Sequence, residues 1–282
     1  MDFSFSPEQE DLRREARAFL EANPSPSMGQ LAELGWVGIL RSEDVGFLDA
    51  AVLFEELGRV LYDGPYVFNE VAAQPGDEVW SIEVDGFVPH LDKVTRVLTA
   101  DMRGAGAHGE TLTTVDETLG LGRISPNGAE AAEGEWTDVR RRLLAALALE
   151  AVGIGSKANE LAIAYVSERE QFGRKIGSYQ AISHSLVDAY VAVELARSLA
   201  YWAAWAVAEA DEQVDLAVAA AKSQAAEAAV LACERSIQAH GGVAFTWEHP
   251  LHRYYKRALW LEGALGYGRE HRAEIAASLL SS

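Results

Sequence analysis

Cysteine is almost absent from this 282-residue sequence, which contains only Cys233. One cysteine cannot form a disulfide within the chain, and such usage is typical of proteins in a reducing compartment. Cys233 lies in the apolar stretch AAVLACERSI, where we expect a small buried core residue. The first residues, MDFSFSPEQEDL, are acidic and lack the basic-then-apolar pattern of a leader, so we expect a cytoplasmic protein.

Basic residues are also scarce, since 24 lysines and arginines stand against 43 aspartates and glutamates, a formal net charge of −19. Such a chain repels phosphate backbones and anionic lipid surfaces, so we expect neither nucleic acid nor a membrane as a partner. No uninterrupted apolar run approaches the ~20 residues that a spanning helix requires. An anionic ligand would need locally clustered positive charge, which the sequence offers at Arg169, Arg174, Lys175, Arg253, Lys256 and Arg257.

Hydrophobic periodicity predicts a mainly α fold with a small β unit. Three helices are expected near the N-terminus: one after the cap Ser6-Pro7, one over Gly29–Leu34 and one from Gly46 to Tyr62. Alternating patterns predict strands at 79–84, 95–99 and 111–115. Four Ala-rich helices are then expected at 142–169, 181–210, 214–241 and 251–280, the last with a break near Gly263 or Gly266. We therefore predict three domains: N-terminal helices (1–75), a short β domain (76–135) and a C-terminal four-helix bundle (136–282).

The stretch 167–188, SEREQFGRKIGSYQAISHSLVD, joins two of these helices through a polar turn. Gly173 and Gly177 disfavour a continuous helix, so the stretch predicts a helix–turn–helix. Arg169 at the bend could simply pair with Glu168 or Glu170 on a solvated helix end. The apolar side chains of the stretch are expected to pack in the core, namely Phe172, Ile176, Tyr179, Ile182 and Leu186.

Several short motifs point to ligands only weakly. Gly104–Gly109 fits G-x-G-x-x-G, but β-branched residues follow where a dinucleotide fingerprint needs a helix, so we expect a hairpin loop. Gly153 and Gly155 lie inside a helical run, where small residues permit close helix packing. His249 and His252 have no further spaced ligands, so we expect no metal.

Two motifs together resemble the acyl-CoA dehydrogenase family. They are ERxQFGxxIGxxQAIxHxLxD at 168–188 and QxxGGxxFTxEHPxxRxxKRA at 238–258, and the N-terminal FSPEQEDLRREAR and FEELGR are also similar. The resemblance implies FAD, a CoA thioester substrate and a dimer of dimers. It also implies removal of an α-proton by a carboxylate while the β-hydride passes to the flavin, with electron-transfer flavoprotein or a similar acceptor downstream.

The resemblance further implies which residues bind FAD. Arg169 would meet the pyrophosphate, because a guanidinium suits an anion. Gly241 and Gly242 would let backbone N–H groups approach phosphate oxygens, although Gly241-Gly242 could simply end a helix. The full set implied is Arg169, Gln171, Phe172, Gln180, Gln238, His240, Gly241 and Gly242. In the family such residues commonly serve the FAD of a neighbouring subunit.

The sequence departs from the family pattern in two places. Its middle region is about half the family's length and lacks the EPxxGSD motif, and Leu265 and Leu143 stand where the family places its carboxylate base. A shortened chain of this kind resembles one partner of the heteromeric α2β2 acyl-CoA dehydrogenases that act on steroid side chains. Glu248, in FTWEH, is then the candidate base, with a pKa raised by burial beside Trp247 and Phe245.

Three hypotheses follow from this resemblance. The first is a catalytic subunit of an FAD-dependent, heteromeric dehydrogenase that desaturates a bulky acyl-CoA, with a full-length paralogue as partner. The second is a non-catalytic subunit that completes the partner's FAD site, with Glu248 pairing with Arg253 or Lys256 or capping the helix that begins at Leu251. The third is a homomeric enzyme that works alone.

Overall fold

Helices occupy both ends of the chain and short strands its middle. The computed structural model describes residues 5–42, 45–72, 74–125 and 129–280, so the first four residues of the acidic N-terminal stretch lie outside the described residues. The N-terminal helices are α1 (Pro7–Ala22), α2 (Met28–Glu33), α3 (Phe47–Arg59) and α4 (Tyr66–Ala72). The predicted cap at Ser6 is confirmed, because its hydroxyl accepts the Gln9 N–H at 3.2 Å and the Gln9 side chain accepts the Ser6 N–H at 3.1 Å.

The described part of the β unit contains six short strands: β1 (Trp80–Ile82), β2 (Arg96–Leu98), β3 (Arg103–Gly106), β4 (Gly109–Thr111), β5 (Gly122–Ile124) and β6 (Glu130–Ala131). One sheet has the order β1-β2-β3-β6, with β1 parallel to β2 and the other pairs antiparallel. Strands β4 and β5 form a separate antiparallel pair. The strands predicted at 79–84 and 95–99 are confirmed as β1 and β2.

Two predictions in this unit are wrong. The strand expected at 111–115 lies earlier, as β4, and ends at Thr111. The glycine pattern Gly104–Gly109 is no hairpin loop, since it spans most of β3 and the first residue of β4, which belong to different sheets. Glycine suits β3 because a Cβ at Gly104 would collide with the Trp80 ring across the sheet. No helix begins between residues 104 and 125, so the stretch has no helix N-terminus for a pyrophosphate.

The C-terminal bundle consists of α5 (Trp136–Glu168), α6 (Gln180–Ala208), α7 (Val214–His240), α8 (Leu251–Gly263) and α9 (Gly268–Leu280). The helix–turn–helix between α5 and α6 and the break before α9 are confirmed. Helix α5 begins six residues earlier than predicted, because Trp136 packs against the core and extends the buried surface. The segment Val214–Phe245 is apolar and long enough to span a membrane by composition, with a mean hydropathy of 1.3. Because 67% of its apolar window is buried inside the fold, it is the central helix of the bundle.

One hydrophobic core runs through all three regions. It includes Leu20 and Phe54 from the N-terminal helices, Ile82 from the sheet, and Leu147 and Ala229 from the bundle. The domain boundaries at 75/76 and 135/136 therefore stay a prediction. Cys233 is buried within this core, as expected. Burial raises the pKa of its thiol.

Helices α3 and α5 cross at a contact made by two glycines. A Cβ at Gly58 would collide with the carbonyl oxygen of Glu150, and one at Gly153 with that of Glu55. Gly155 in turn lies against Val193 and the backbone of Ala229. The prediction that small residues here permit close helix packing is confirmed.

The variant Gly153→Ala is expected to destabilise the chain by roughly 3 kcal/mol, because the methyl group must displace the α3 backbone. Urea unfolding followed by circular dichroism measures this. The matched control is Gly242→Ala, where an added Cβ meets nothing within 4 Å. Equal stability of the two variants would contradict the close crossing.

Lys222 is buried in the bundle with 1% of its surface exposed. Its ammonium group donates to the carbonyl oxygen of Leu261 at 2.6 Å, near the C-terminal end of α8, where a cation is favoured. Desolvation lowers the pKa of Lys222 from 10.5 to about 8, against the opposing attraction of Asp85 and Glu262. Its charge therefore costs stability in the folded chain at neutral pH.

This buried amine predicts a pH dependence with a definite sign. The folded chain releases the Lys222 proton near pH 8 and the unfolded chain near pH 10.5. The free-energy cost of burying the charged amine is therefore fully present below pH 8 and is relieved as the pH rises from 8 towards 10.5. Relative to Lys222→Met, the natural chain should gain roughly 2 kcal/mol between about pH 7.5 and 10. Urea unfolding of both proteins at the two pH values measures the gain, and a pH-independent difference would contradict it.

Candidate functional site

A tight hairpin closes the turn between α5 and α6. Strands β7 (Glu170–Gln171) and β8 (Arg174–Lys175) pair antiparallel, and the two loop residues have φ of 53° at Phe172 and 77° at Gly173. Two left-handed residues define a type I′ turn, which matches the twist of the strands. The hairpin is fixed by Tyr179, whose hydroxyl donates to the Gln171 carbonyl at 3.2 Å and whose ring lies 3.8 Å beneath the Arg174 guanidinium.

Phe172 is 94% exposed at the tip of this hairpin, so the prediction that it packs in the core is wrong. The turn projects it beyond the bundle, whereas Ile176 and Leu186 are buried in a small cluster as expected. A non-glycine residue at positive φ is strained, and an exposed aromatic side chain gains nothing from the core. Packing within this chain therefore does not account for an aromatic side chain at this position.

Arg169 and the start of α6 flank the hairpin. Arg169 ends α5 and is exposed, and within the described residues its guanidinium forms no ion pair with Glu168 or Glu170. Tyr179 occupies the N-cap of α6 without a side-chain cap, and the N–H groups of Gln180 and Ala181 have no acceptor in the part of the chain that is described. The positive end of a 29-residue helix therefore lies open beside an unpaired arginine.

The second motif follows the end of α7. The 3₁₀ turn Gly241–Phe245 begins with Gly241 at φ 65°, which glycine adopts without strain. Gly242 has no positive φ, and a Cβ there would meet nothing within 4 Å. Neither conformation nor packing within this chain requires glycine at position 242. Gln238, also in the implied FAD set, is exposed on the last turn of α7.

His240 lies beneath this turn and not on its surface. Its Nδ1–H donates to the Ser236 carbonyl at 2.8 Å, and its ring stacks on Tyr165 with the centroids 4.3 Å apart. Tyr165 lies one turn before Arg169 of the first motif, and Ala239 of the second motif packs against the same hydrophobic cluster as Ile176 of the first motif. The two motifs therefore lie at the same end of the bundle. The structure thus brings the two sequence motifs together.

Glu248 is exposed, as are Phe245 at 77% and Trp247 at 67%. Hydrogen bonds from its own backbone N–H and from the Thr246 hydroxyl hold the pKa of Glu248 below its usual value. The expectation that Glu248 is buried and has a raised pKa is therefore wrong for this chain. The loop projects from the fold, and the Trp247 ring packs against His252 and lies 4.4 Å from the Lys256 ammonium group.

The structural alternatives for Glu248 are not seen either. Within the described residues it forms no ion pair with Arg253 or Lys256. Pro250 occupies the N-cap of α8, which has no side-chain cap. The side chain of Glu248 is therefore available to a group outside this chain.

The positions where the family places its base hold apolar residues with structural contacts. Leu143 is fully buried in α5. Leu265 lies in the turn between α8 and α9 at φ 59°, and its N–H donates to the Asp85 carboxylate at 2.8 Å. Asp85 comes from the β unit, so this turn joins the β unit to the bundle.

A buried ionic network lies where the N-terminal helices, the β unit and the bundle meet, and sequence reasoning missed it. Arg257, 2% exposed, donates to Asp116 at 2.9 Å, to Glu150 at 2.5 Å and to the Thr118 hydroxyl at 2.8 Å. Desolvation raises the pKa of Glu150, although Arg257 opposes this, and burial lowers the pKa of His90 nearby. The signal was available in sequence, since Glu150 is a lone charge in an otherwise apolar helical run.

The network fills the junction. The cavity beside Glu150, Arg257 and His90 has a volume of about 10 Å³, room for at most one water molecule. Ligand sites often lie where structural units of a protein meet, but in the isolated chain this junction leaves no room for a ligand. Among the described residues no group of three or more His, Cys, Asp or Glu side chains is arranged to hold a metal ion.

The fold is a helical bundle with a short β unit, and one end of the bundle carries an exposed arginine, an uncapped helix start and an exposed phenylalanine. Residues 138–280 match the family model for the acyl-CoA dehydrogenase C-terminal domain. Acyl-CoA dehydrogenase IpdE2 of Mycolicibacterium smegmatis is 30% identical, covering 97% of this chain and 99% of that protein. The chain belongs to the acyl-CoA dehydrogenase family.

Solved structures show the same fold over the whole chain. The ChsE4–ChsE5 complex from Mycobacterium tuberculosis contains a chain with a TM-score of 0.86 at 21% identity, covering 100% of both chains. A variant of the Tcur3481–Tcur3483 steroid ACAD gives 0.86 at 21% identity, covering 98% of this chain and 99% of that one. The shortened middle region is therefore compatible with the family fold.

Proposed function

We propose that this chain is one subunit of a heteromeric, FAD-dependent acyl-CoA dehydrogenase that desaturates a bulky acyl-CoA between the α and β carbons. The observation that carries the proposal is the end of the bundle where unpaired Arg169, the uncapped start of α6 and Gly242 lie with the exposed Phe172. These groups offer hydrogen-bond donors and positive charge to a diphosphate and an apolar face to a planar ring system.

The residues present fit the anionic part of FAD. Arg169 would bind a phosphate oxygen bidentately, the N–H groups of Gln180 and Ala181 would donate to the same anion, and Gly242 would admit it close to the backbone. When bound, FAD supplies the acceptor for the β-hydride. The proposed roles of Gln171, Gln238 and His240 remain predictions, with His240 supporting the turn from beneath.

The heteromer is proposed on three grounds. The site is open on its outer side, the junction within the chain is closed, and structures of similar fold are named as a two-component complex and as a steroid ACAD. A full-length paralogue would supply the flavin and thioester contacts that the short β unit lacks. We propose a steroid-type acyl chain, electron-transfer flavoprotein or a similar acceptor, and a cytoplasmic location.

A visible flavin spectrum tests the proposal. The chain purified alone should be colourless, and the chain co-purified with its co-expressed full-length paralogue should be yellow. In that complex Arg169→Gln and Gly242→Val should each weaken flavin retention about tenfold, because a charge-assisted contact or its space is lost.

The control is Arg14→Gln, at an exposed arginine on α1, which should leave flavin content unchanged. Yellow protein from the chain alone would support the homomeric enzyme instead. Colourless protein in both preparations would contradict the flavin site itself.

Glu248 is the proposed base, taking the α-proton on a carboxylate oxygen. In the isolated chain the group is exposed and ionised, so a covering partner must desolvate it to raise its affinity for a proton. Trp247 and Phe245 beside it provide exposed apolar surface for that covering.

A second candidate is a non-catalytic subunit that completes the partner's FAD site. The closed junction around Arg257 and the leucines at the two family base positions favour it. Under this candidate the flavin contacts are kept and Glu248 performs no proton transfer.

A further inference from the structure

A polar cavity of about 490 Å³ lies between α1, α3, α5 and α6. Four arginines line it and two glutamates pair with them from beneath, Glu55 at 3% and Glu56 at 1% side-chain exposure. The remaining partners, Glu10, Glu160 and Glu194, have side chains that are 53%, 50% and 39% exposed. The arginines are Arg13, Arg17, Arg59 and Arg197.

The cavity wall contains buried polar groups without partners. Asn159 is 2% exposed, and among the described residues neither its amide nitrogen nor its amide oxygen has a hydrogen-bond partner. The Nε–H of Arg13 is also buried and unpaired. Buried polar groups are normally satisfied, and leaving them unsatisfied costs stability. The two unpaired donors, Asn159 Nδ2 and Arg13 Nε, therefore indicate an acceptor that arrives from outside the chain.

An incoming anion could exchange with a carboxylate at the rim. The four arginines exceed the two buried glutamates by two charges, and the exposed carboxylates of Glu10, Glu160 and Glu194 neutralise that excess. Arg197 donates to Glu55, to the Ser156 hydroxyl and, through Nη1 at 2.5 Å, to the rim residue Glu194. An incoming carboxylate can take the place of Glu194 on Arg197, because an exposed side chain returns to water at little cost.

An apolar groove of about 730 Å³ continues from this cavity between α5 and α6. Ile163 and Tyr190 line both spaces, and both are about half exposed. Beyond them the apolar part of the groove is formed by Val166, Leu186 and Val187, and Ser167, Lys175, Gly177, Ser178 and Ser183 complete its lining around the α5–α6 turn. A molecule with its head in the cavity would therefore lay an apolar body along the groove.

We infer that the cavity and the groove together form one binding site for an amphipathic carboxylate. Its carboxylate head would accept from Arg197, from the Asn159 amide and from Arg13, and its rigid apolar body would cover Ile163 and Tyr190. The groove reaches the α5–α6 turn beside the flavin end of the bundle, whereas the polar cavity is lined by residues outside that turn. The inference does not depend on the proposed dehydrogenase activity.

Calorimetric titration of the full chain with cholate, a rigid amphipathic carboxylate, tests the site below the micelle concentration. Arg197→Gln should weaken binding about tenfold or more, because a charge-assisted contact is lost. Methyl cholate, which has the same body but no charge, should bind at least about tenfold more weakly than cholate. Arg269→Gln, at a mostly exposed arginine on α9, is the matched control and should bind as the natural chain does.

Asn159→Leu separates binding from folding. Removing an unsatisfied buried amide should raise the Tm by about 3 °C, while cholate binding should fall about tenfold. A variant that is more stable and binds less cannot owe its loss to unfolding. The inference is overturned if the natural chain binds cholate with a Kd weaker than about 1 mM, if methyl cholate binds equally well, or if Asn159→Leu keeps full affinity.

Discussion

Replacing Arg257 with methionine should destabilise the chain by about 3–5 kcal/mol, the largest effect on folding that we expect from one side chain. Arg257 neutralises Asp116 and Glu150, both of which are buried. Without the guanidinium, two carboxylates lie in an apolar junction with no counter-charge. Because Asp116 belongs to the β unit and Glu150 to α5, the loss should loosen both regions.

Urea unfolding followed by circular dichroism measures this effect. Arg253→Met is the matched control, since Arg253 lies one turn earlier on α8 and is exposed. In the Arg257→Met background, Glu150→Gln should recover part of the stability because it removes one unpaired charge. An Arg257→Met chain as stable as the Arg253→Met chain would show that the network does not hold the junction.

Glu248→Gln in the assembled complex should lower turnover by about 10²–10⁴-fold while flavin content stays unchanged, if Glu248 takes the α-proton. Glutamine preserves the size and polarity of the side chain but cannot accept the proton. Stopped-flow reduction of the flavin by acyl-CoA, with flavin absorbance as the binding readout, measures both quantities on one sample.

Glu234→Gln is the control, because Glu234 is also an exposed carboxylate, on the last two turns of α7. Turnover unchanged by Glu248→Gln would support the non-catalytic subunit, in which this chain holds the flavin and its partner supplies the base. Loss of flavin together with turnover would instead place Glu248 among the contacts that hold the complex together.

The helical framework could be predicted because its signals are local. The Ser6 cap, the hairpin glycine Gly173 and the break after Gly263 each act within a few residues. The family motifs likewise identified the end of the bundle where Arg169 and Gly242 lie. What periodicity could not supply was the environment of each side chain.

Three misassignments show why. Phe172 looked like a core residue, but its position in a type I′ turn placed it in solvent. The glycines of β3 looked like a loop, because their strand is defined by pairing with β2 and not by side-chain pattern. Arg257 and Glu150 are 107 positions apart, and no local pattern reveals a contact over that distance.

Three aromatic rings, those of Phe172, Phe245 and Trp247, stand outside the core with 94%, 77% and 67% of their surfaces exposed. Exposed apolar surface of this kind associates with whatever apolar surface it meets. If the proposed partner subunit covers these rings, a cell that makes more of this chain than of that partner accumulates chains with an exposed, aggregation-prone surface. Under that proposal, balanced synthesis of the two subunits, or rapid removal of the unpaired chain, is a requirement of this surface.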